Sequence, residues 1–459
     1  MSFTQVEEQR IQTLNDKKPN ANANYVLYWM EQSKRTAYNH ALALAVQKAN
    51  DLEQPLLVAY ALTNEYPDLN LRHFTFLVEG LQETEEELKS MDIKLVAKMG
   101  KPVEVALDLG KDASVIICDH YYLKHQRAWR QQVAKEADCQ VIQVESDVIV
   151  PVGFVSDKAE YAARTIRPKL QKQYKDFLNR PTQSRPKKSS IYLKVKGAKL
   201  NNIQELAESL GLDNSVEPVS HFFKGGTSQA KKRFRSFIKD HLDSYDDSRN
   251  QPQTNHVSHM SKYLHFGQVS PVWLVEEITE KVSGKNVDSF VEELLVRREL
   301  ASNYCYYTQD YDSFKALPGW AHETLEAHKD DEREHLYTRK ELENADTHDP
   351  YWNAAMMEMK YTGYMHNYMR MYWGKKILEW SNTPHYAYKT IITLNNRYFL
   401  DGRDCNSYAN VSWVFGQHDR GWTERPVYGK VRSMKRSGLK RKFDPEEYVK
   451  KVEALVKQA

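Results

Sequence analysis

Short apolar runs separated by amphipathic stretches of helix length are the feature that most limits how this chain can fold. The first run, YVLYW at residues 25–29, is followed by comparable runs at 55–62, 93–98, 114–119 and 141–145. Apolar runs of this length that alternate with helical stretches are typical of βα units around a parallel sheet. The pattern therefore predicts a doubly wound α/β domain over residues 20–155.

A Rossmann-like sheet of this kind often binds a dinucleotide at a glycine-rich turn after its first strand. Here the first strand continues into Trp29-Met30-Glu31-Gln32-Ser33, which contains no glycine. Without glycine the backbone approaches a pyrophosphate less closely, so a nicotinamide site in this domain is disfavoured.

The second half of the chain lacks the strand pattern and predicts an all-α domain over residues 226–459. Its long amphipathic stretches lie at 227–243, 271–281, 287–308, 349–381, 385–396 and 445–458. Residues 156–225 are predicted to link the two domains. Within them, segment 180–200 is rich in proline, serine and lysine, which indicates a solvated connector that buries too little apolar surface to order itself.

Hydropathy and cysteine usage restrict where the protein works. No run of 18 apolar residues occurs, mean hydropathy is −0.71, and the polar start of the chain lacks the apolar segment of a secretory signal. The four cysteines have neither CxxC nor Cys/His zinc spacing and are too few for a disulfide framework. We therefore expect no membrane span, no secretion and no metal, in a reducing compartment: the cytoplasm with its nucleoid, or the nucleus.

The total charge says little about partners, because 65 lysine and arginine residues oppose 62 aspartate and glutamate residues. The distribution says more, since residues 424–442 contain eight basic residues and a single acidic one, close to Trp413, Trp422 and Tyr428. Such a run is usually a solvated face, but basic and aromatic side chains together also suit contact with nucleic acid. Both interpretations stay open at this point.

Three further segments each allow a structural and a functional interpretation. Trp373 and Trp380, seven residues apart on one helix, share a face at a spacing of about 10 Å, as a core stripe or as part of an electron-transfer chain of indoles. Ser258 and Ser261 flank a predicted helix start, as caps or as a phosphate site. Residues 394–406 form either a polar turn or a set of side chains for a ring edge and a ribose.

Together these segments resemble the photolyase/cryptochrome family, and most closely its class II cyclobutane pyrimidine dimer (CPD) photolyases. The resemblance extends from about Tyr25 to Val452 and rests on six ordered motifs, which are far more specific than a short pattern such as GxGxxG. They are SDKAEYAARTIRPK from Ser156, SHMSKYLHFGQVS from Ser258, EELLVRREL from Glu292, THDPYWNAA from Thr347, MHNYMRMYWGKKILEW from Met365 and LDGRD from Leu400.

The resemblance implies that the helical domain holds FAD in a bent shape, with fully reduced FADH⁻ as the active form. Carried over by position, the phosphates and ribityl chain would contact Tyr245, Val257, Ser258, Met260, Ser261 and Gln268. Arg370 and Asp401 would form an ion pair beside the isoalloxazine, and Asn395 would face its N5 atom. A second, light-harvesting chromophore in the N-terminal domain stays an open question.

The resemblance also implies an electron path and a substrate pocket. Trp373 would lie nearest the flavin, Trp352 in the middle and Trp380 on the solvent side. Glu293 would hydrogen-bond the damaged bases, which Met371 and Trp413 would pack against, after the dimer flips out of the duplex. The DNA backbone would be held by Arg297, Arg298 and the terminal basic run, including Arg441 and Lys442.

The implied function is light-driven DNA repair by a carbon–carbon lyase, in which excited reduced FAD donates an electron to a pyrimidine dimer and recovers it. We expect a monomer that acts on UV-damaged DNA. Alternatives are a cryptochrome-like photoreceptor and repair of the (6-4) photoproduct. One departure is visible: the family commonly has proline where this chain has Lys262, which we expect to keep the helix start.

Overall fold

The N-terminal part of the chain forms a six-stranded sheet in the computed structural model, which describes residues 5–182, 184–280 and 282–459. Position 183, in the predicted connector, and position 281, at the end of a predicted helix, lie outside the described residues. The strands are β1 (Ile11–Thr13), β2 (Tyr25–Trp29), β3 (Leu56–Leu62), β4 (Lys94–Met99), β5 (Ala113–Asp119) and β6 (Gln140–Val144). Their order is β1-β6-β5-β2-β3-β4, and every pairing except that of β1 with β6 is parallel.

The described helices begin and end as follows. They are α1 (His40–Asp51), α2 (Leu71–Ser90), α3 (Pro102–Gly110), α4 (Lys124–Glu136), α5 (Val152–Val155), α6 (Ala163–Gln173), α7 (Ile203–Ser209), α8 (Thr227–Asp240), α9 (Tyr245–Ser248), α10 (Ser261–His265), α11 (Pro271–Thr279), α12 (Lys285–Val291), α13 (Arg298–Tyr307), α14 (Gly319–Ala327), α15 (Arg339–Glu343), α16 (Pro350–Thr362), α17 (Asn367–Trp380), α18 (Pro384–Tyr398), α19 (Cys405–Val414), α20 (Arg436–Leu439) and α21 (Pro445–Val456).

Both faces of the sheet are buried, as the continuous apolar runs predict. Val26 and Tyr28 of β2 pack into one cluster with residues of α1 and α2, whereas Leu27 and Trp29 pack into another with residues of α3 and α4. The predicted α/β domain is thus confirmed, and so is the all-α second half. Among the strands the sequence pattern missed β1, a three-residue edge strand whose side chains are half-buried or exposed. Among the helices it missed α7, α14, α15 and α19.

The turn after β2 is closed by an internal carboxylate. One oxygen of Asp119, at the end of β5, accepts hydrogen bonds from the backbone N–H groups of Glu31, Gln32 and Ser33 at 3.0, 2.8 and 2.9 Å. In dinucleotide-binding folds a pyrophosphate takes this place. Asp119 therefore gives the glycine-free turn a structural role.

Two predictions about the chain after residue 155 need correction. The stretch 349–381 forms two helices, α16 and α17, because Gly363 ends α16 with φ of 69°, in the left-handed region that glycine enters without steric cost. Segment 180–200 is not a solvated connector throughout: the backbone N–H of Ala198 bonds the carbonyl of Ala97 at 2.6 Å, and Ser190 is fully buried. This segment covers β4, whose unpaired edge would otherwise be exposed.

The two halves share one apolar cluster, which runs from the β2 face of the sheet to residues of α8, α11 and α12. Buried polar side chains also join them: Asn70, at the start of α2, donates to the carbonyl of Arg397 at 2.7 Å. Arg35 donates to the carbonyl of Gly267 at 2.9 Å. Among the described residues, no helix combines the length and the apolar character that crossing a bilayer requires.

Candidate functional site

Arg370 and Asp401 form a two-pronged ion pair between α17 and the turn before α19, in which Asp401 is buried and Arg370 is half-buried. The two guanidinium nitrogens lie 2.9 and 3.1 Å from the two carboxylate oxygens. The Arg370 Nε donates to the carbonyl of Met365 at 2.9 Å, and its guanidinium lies 3.9 Å from the centre of the Phe399 ring. Burial raises the pKa of Asp401, but Arg370 outweighs burial and the net pKa is lowered. The carboxylate is therefore ionised at neutral pH.

Asn395, predicted to face the flavin, lies in the last turn of α18. It is 7% exposed, and its Nδ2 donates to the side-chain oxygen of Asn396 at 3.1 Å. Asn396, which sequence reasoning missed, also accepts from the backbone N–H of Arg403 at 3.0 Å. The second asparagine thus fixes the rotation of the first.

The segment before α10 has the backbone geometry of an anion-binding turn. His259 has φ of 56°, in the left-handed region, and Met260 follows in the right-handed region; this succession is typical of backbone concavities that bind anions. Val257 and Ser258 are half-buried, and Ser261 is exposed. Hydroxyl and N–H groups therefore remain accessible at the start of α10, which Lys262 leaves intact as predicted.

Gln268 and Tyr245, both predicted to contact the cofactor, are buried in the structure. Gln268 is fully buried, and its side chain accepts from the N–H of Gly226 at 2.8 Å and donates to the carbonyl of Phe76 at 3.0 Å. Both ends of its amide join α2 to α8, so Gln268 is a structural residue. Tyr245 is 8% exposed and packs edge-on against Phe237.

The three predicted tryptophans lie close together, because Trp352 of α16 contacts both Trp373 and Trp380 of α17. The indole nitrogen of Trp352 donates to the backbone oxygen of Trp373 at 3.0 Å. The rings of Trp352 and Trp380 are 5.6 Å apart between centroids, at 65° to each other. Gly363 allows this arrangement, because the break after α16 lets Trp352 fold back against α17.

Trp380 is not the solvent-side residue that the sequence predicts. It is 2% exposed, like Trp373, and Trp352 is fully buried. Tyr337 and His348 cover its ring at 5.5 and 5.1 Å, and the Tyr337 hydroxyl lies 2.8 Å from Nδ1 of His348. Solvent is reached beyond these two side chains.

Glu293 lies on a π-helical turn, residues 292–297, between α12 and α13. Its carboxylate is 37% exposed and accepts from Nη1 of Arg249 at 2.7 Å. Local π-helical turns are frequent at functional sites, because they displace side chains from the regular helical positions. No sequence signal indicates Arg249, which is 44 residues away along the chain.

Trp413 lies at the end of α19 between two cations. The Nζ of Lys375 and the guanidinium of Arg432 lie 5.1 and 5.7 Å from its ring centre. Arg432 also stacks at 4.1 Å on Trp422, which is 37% exposed. Met371, next to Arg370 on α17, is half-buried. Half-buried Trp413 and exposed Trp422 offer two stacking surfaces flanked by positive charge.

The predicted backbone-binding residues separate into two groups. Arg297, Arg441 and Lys442 are exposed, although Arg297 lies 3.5 Å from Glu292. Arg298 is wrong as a DNA contact: it is 7% exposed, and its guanidinium pairs with Asp147 at 2.7 Å. It joins the helical half to the α/β half instead.

A cavity lies between the two halves at the carboxyl ends of the strands. Its lining includes Tyr60, Tyr66, His125, His265 and Arg403. Among the described residues, no group of three His, Cys, Asp or Glu side chains could hold a metal ion.

The chain has extensive similarity to proteins of known family. A family model described as DNA photolyase matches residues 26–187. The deoxyribodipyrimidine photo-lyase of Methanothermobacter thermautotrophicus is 43% identical over 98% of this chain and 99% of its own length. That of Potorous tridactylus is 37% identical over 93% and 81%.

A solved archaeal photolyase of Sulfolobus tokodaii, described with two FAD molecules, shares the fold with a TM-score of 0.68 at 14% identity, over 94% of this chain and 93% of that one. The two photo-lyases are 37–43% identical to this chain and match more than nine-tenths of it, which is enough to assign its family. This chain belongs to the DNA photolyase family.

Proposed function

We propose that this chain repairs cyclobutane pyrimidine dimers in DNA by a light-dependent reaction, and that it does so with reduced FAD in its helical half. The observation that carries the proposal is the Arg370–Asp401 ion pair, with Trp373 three residues from Arg370 on α17, within a chain of this family. An ion pair with a buried carboxylate beside a row of buried indoles serves a redox cofactor better than it serves packing alone.

Buried polar atoms in this region fit a polar, aromatic cofactor. Within the described part of the chain, Trp373 Nε1 and His259 Nδ1 are buried without a hydrogen-bond partner, which native structures normally avoid. Arg370, Asp401 and Asn395 would hold the isoalloxazine, and the turn of Ser258 to Ser261 would hold the phosphates. When bound, reduced FAD supplies the light-excited electron that opens the dimer, while the protein supplies orientation and electrostatics.

The tryptophans would renew the reduced cofactor. Trp352 and Trp380 are close enough for their rings to touch, and the Trp352 indole is bonded to the backbone of Trp373. Burial of all three indoles keeps water away from the path. The chain therefore provides a fixed route from the cofactor site toward Tyr337 and the surface.

Glu293, Met371 and Trp413 would form the dimer pocket. The Glu293 carboxylate is held by Arg249 and is still 37% exposed, so it can accept hydrogen bonds from pyrimidine N–H groups. Trp413 would stack on a flipped base, a contact that contributes about 1–3 kcal/mol per base. Flipping is least costly where damage has already weakened pairing.

Repair of thymine dimers in an oligonucleotide, measured under blue light with chemically reduced protein, tests the proposal. Wild type restores the undamaged bases, and Glu293→Gln repairs with a yield lowered several-fold, because the amide keeps the shape but loses the charge. Glu332→Gln, an exposed carboxylate outside the site, is the matched control. If wild type photoreduces its flavin but restores no dimers, the proposal fails and a photoreceptor role replaces it.

We also propose that the cavity between the two halves holds a second, light-harvesting chromophore. It lies where ligands bind in open α/β sheets, beyond the carboxyl ends of the strands, and aromatic side chains line it. Purified protein then carries a second absorbing molecule, which Tyr66→Trp displaces without loss of FAD. A single FAD per chain in every preparation contradicts the second site.

A further inference from the structure

Lys262 is a buried lysine without an acidic partner. Its side chain is fully buried, and within the described residues no ion pair joins it to a carboxylate. The ammonium donates to the carbonyl of His259 at 3.3 Å and lies 3.9 and 4.9 Å from the ring centres of Phe223 and Tyr364. One carbonyl and two rings compensate a buried charge poorly.

The charges that face Lys262 from neighbouring elements are mostly positive. Arg370 on α17 and Arg233 on α8 add positive charge, whereas Asp401 supplies negative charge that Arg370 already neutralises. Burial, Lys262 and Arg233 hold the pKa of His259 well below its usual value, and burial raises the pKa of Tyr364. Both rings are therefore uncharged at neutral pH, and the pocket has an excess of positive charge.

Lys262 directly follows Ser261, whose hydroxyl bonds to Asp401. The Tyr364 ring lies 4.9 Å from the Lys262 ammonium and 5.8 Å from the Arg370 guanidinium, so the lysine lies next to the site proposed for the flavin. We propose that Lys262 is the charge-balancing residue of that site, whose Nζ takes up a proton when the bound FAD becomes anionic on reduction. The inference rests on the proposed function, because it requires FAD beside the Arg370–Asp401 pair.

The step balances in atoms and charge. Two electrons from the reductant and one proton convert neutral oxidised flavin into its anionic reduced form, and a second proton passes from solvent to the Nζ of Lys262. No group leaves. Because binding couplings are reciprocal, a lysine that gains a proton more readily beside reduced FAD also favours the reduced cofactor.

The pH range follows from the lysine. Burial lowers the pKa of Lys262 to about 7, so below about pH 7 the ammonium is charged in both redox states. A nearby anion raises this pKa. Between pH 7 and the raised value, reduction takes up two protons for two electrons; above that value the lysine is neutral in both states.

Spectroelectrochemical titration of the FAD-loaded full chain from pH 6 to 9.5 tests the inference. In wild type the midpoint potential falls more steeply above pH 7 than below it, because reduction takes up one extra proton. The extra fall is about 30 mV per pH unit, which corresponds to a tenfold change in the equilibrium constant for reduction. Lys262→Met loses this extra slope and has a lower potential at pH 6.5. Lys262→Arg also loses the extra slope but keeps the high potential, since its charge is permanent.

Lys34→Met is the matched control. Lys34 is another buried lysine, in the α/β half, and burial lowers its pKa to about 8; this variant keeps the wild-type slope. A constant slope in wild type, or an extra slope that survives in Lys262→Met, overturns the inference. If Lys262→Met holds no FAD, Lys262→Arg decides by the same slope. A wild type that binds FAD and repairs dimers without the extra slope disproves only the role of Lys262; a wild type without FAD disproves the proposed function.

Discussion

In the proposed electron path, Trp373 is the residue nearest the cofactor site. It follows Arg370 by three positions on α17, so both side chains project from the same face of the helix. Trp352 bonds to its backbone and not to its indole. Among the described residues, the Trp373 indole N–H is buried without a hydrogen-bond acceptor, as expected of a side chain that faces a bound molecule.

Trp373→Phe is expected to abolish photoreduction of oxidised flavin while repair by chemically reduced protein survives, because the repair electron passes directly from flavin to dimer. Flash absorption spectroscopy measures the first and dimer repair the second. Trp380→Phe slows photoreduction less completely, since Trp352 can still be oxidised.

Trp129→Phe, on α4 in the α/β half, is the control and photoreduces normally. Normal photoreduction in the Trp373 variant makes the tryptophan row an ordinary core stripe.

At the scale of an element, the last turn of α19 depends on buried Lys375. Its Nζ donates to the carbonyl of Val414, the last residue of the helix, and a cation near helix C-terminal carbonyls is stabilising. The same ammonium lies under Trp413. One lysine thus fixes both the helix end and the stacking surface beside it.

Burial lowers the pKa of Lys375 to about 7, well below its value in an unfolded chain. Between these two pKa values the unfolded chain binds more protons, so this group makes the unfolding free energy rise with pH by up to about 1.4 kcal/mol per pH unit. Lys375→Met removes that dependence. Urea denaturation at pH 7, 8 and 9 measures it; exposed Lys389→Met retains the wild-type trend, and an unchanged trend in Lys375→Met contradicts the prediction.

The terminal basic run is less uniform as an element than its sequence indicates. Arg432 is bonded to Asp419 at 3.0 Å, and Lys440 lies 3.6 Å from Glu446. Within the described chain, Arg441 and Lys442 are exposed without an ion pair. These two side chains are the better candidates for contact with DNA phosphates.

Replacing Arg441 and Lys442 together by alanine is expected to weaken binding of damaged and undamaged DNA alike. Each lost phosphate contact lowers the magnitude of the log–log salt slope by roughly 0.9, so two contacts lower it by about 1.8. Binding titrations from 50 to 300 mM salt measure the slope. Alanine at Lys450 and Lys457 on the far C-terminal helix is the control; an equal slope in both double variants identifies a plain solvated surface.

At the scale of the whole molecule, Arg72 of α2 joins the two halves. It is 3% exposed and donates to the carbonyls of Glu217, Lys360 and Tyr398 at 2.8, 2.6 and 2.9 Å. Together with the shared apolar cluster, this side chain makes the halves one folding unit.

Arg72→Leu leaves these carbonyls without a donor, and we expect it to lower the unfolding free energy by about 3 kcal/mol. Thermal unfolding measured by circular dichroism and by intrinsic fluorescence checks this. We expect both measurements to give the same lowered midpoint temperature. Exposed Arg164→Leu changes the stability by less than about 0.5 kcal/mol. Separate transitions for the two halves contradict a single unit.

Local pattern determined most of the architecture. The runs that became β2 to β6 are mostly apolar, and burial of such runs on both faces leaves few alternatives to a covered parallel sheet. The start of α11 likewise followed from the amphipathic stretch that begins at Pro271. The short edge strand β1 was not predicted, because three residues are too few to show an alternating apolar and polar pattern.

Only the tertiary structure decided which polar side chains are available to a ligand. Gln268 and Arg298 are of types that bind phosphates, yet their partners, Gly226, Phe76 and Asp147, come from distant segments that sequence spacing does not bring together. The burial of Trp380 and the pairing of Glu293 with Arg249 likewise depend on residues that are distant along the chain. Local sequence sets which conformations a segment prefers, but exposure and hydrogen bonding depend on the neighbours that folding supplies, and those neighbours are far away along the chain.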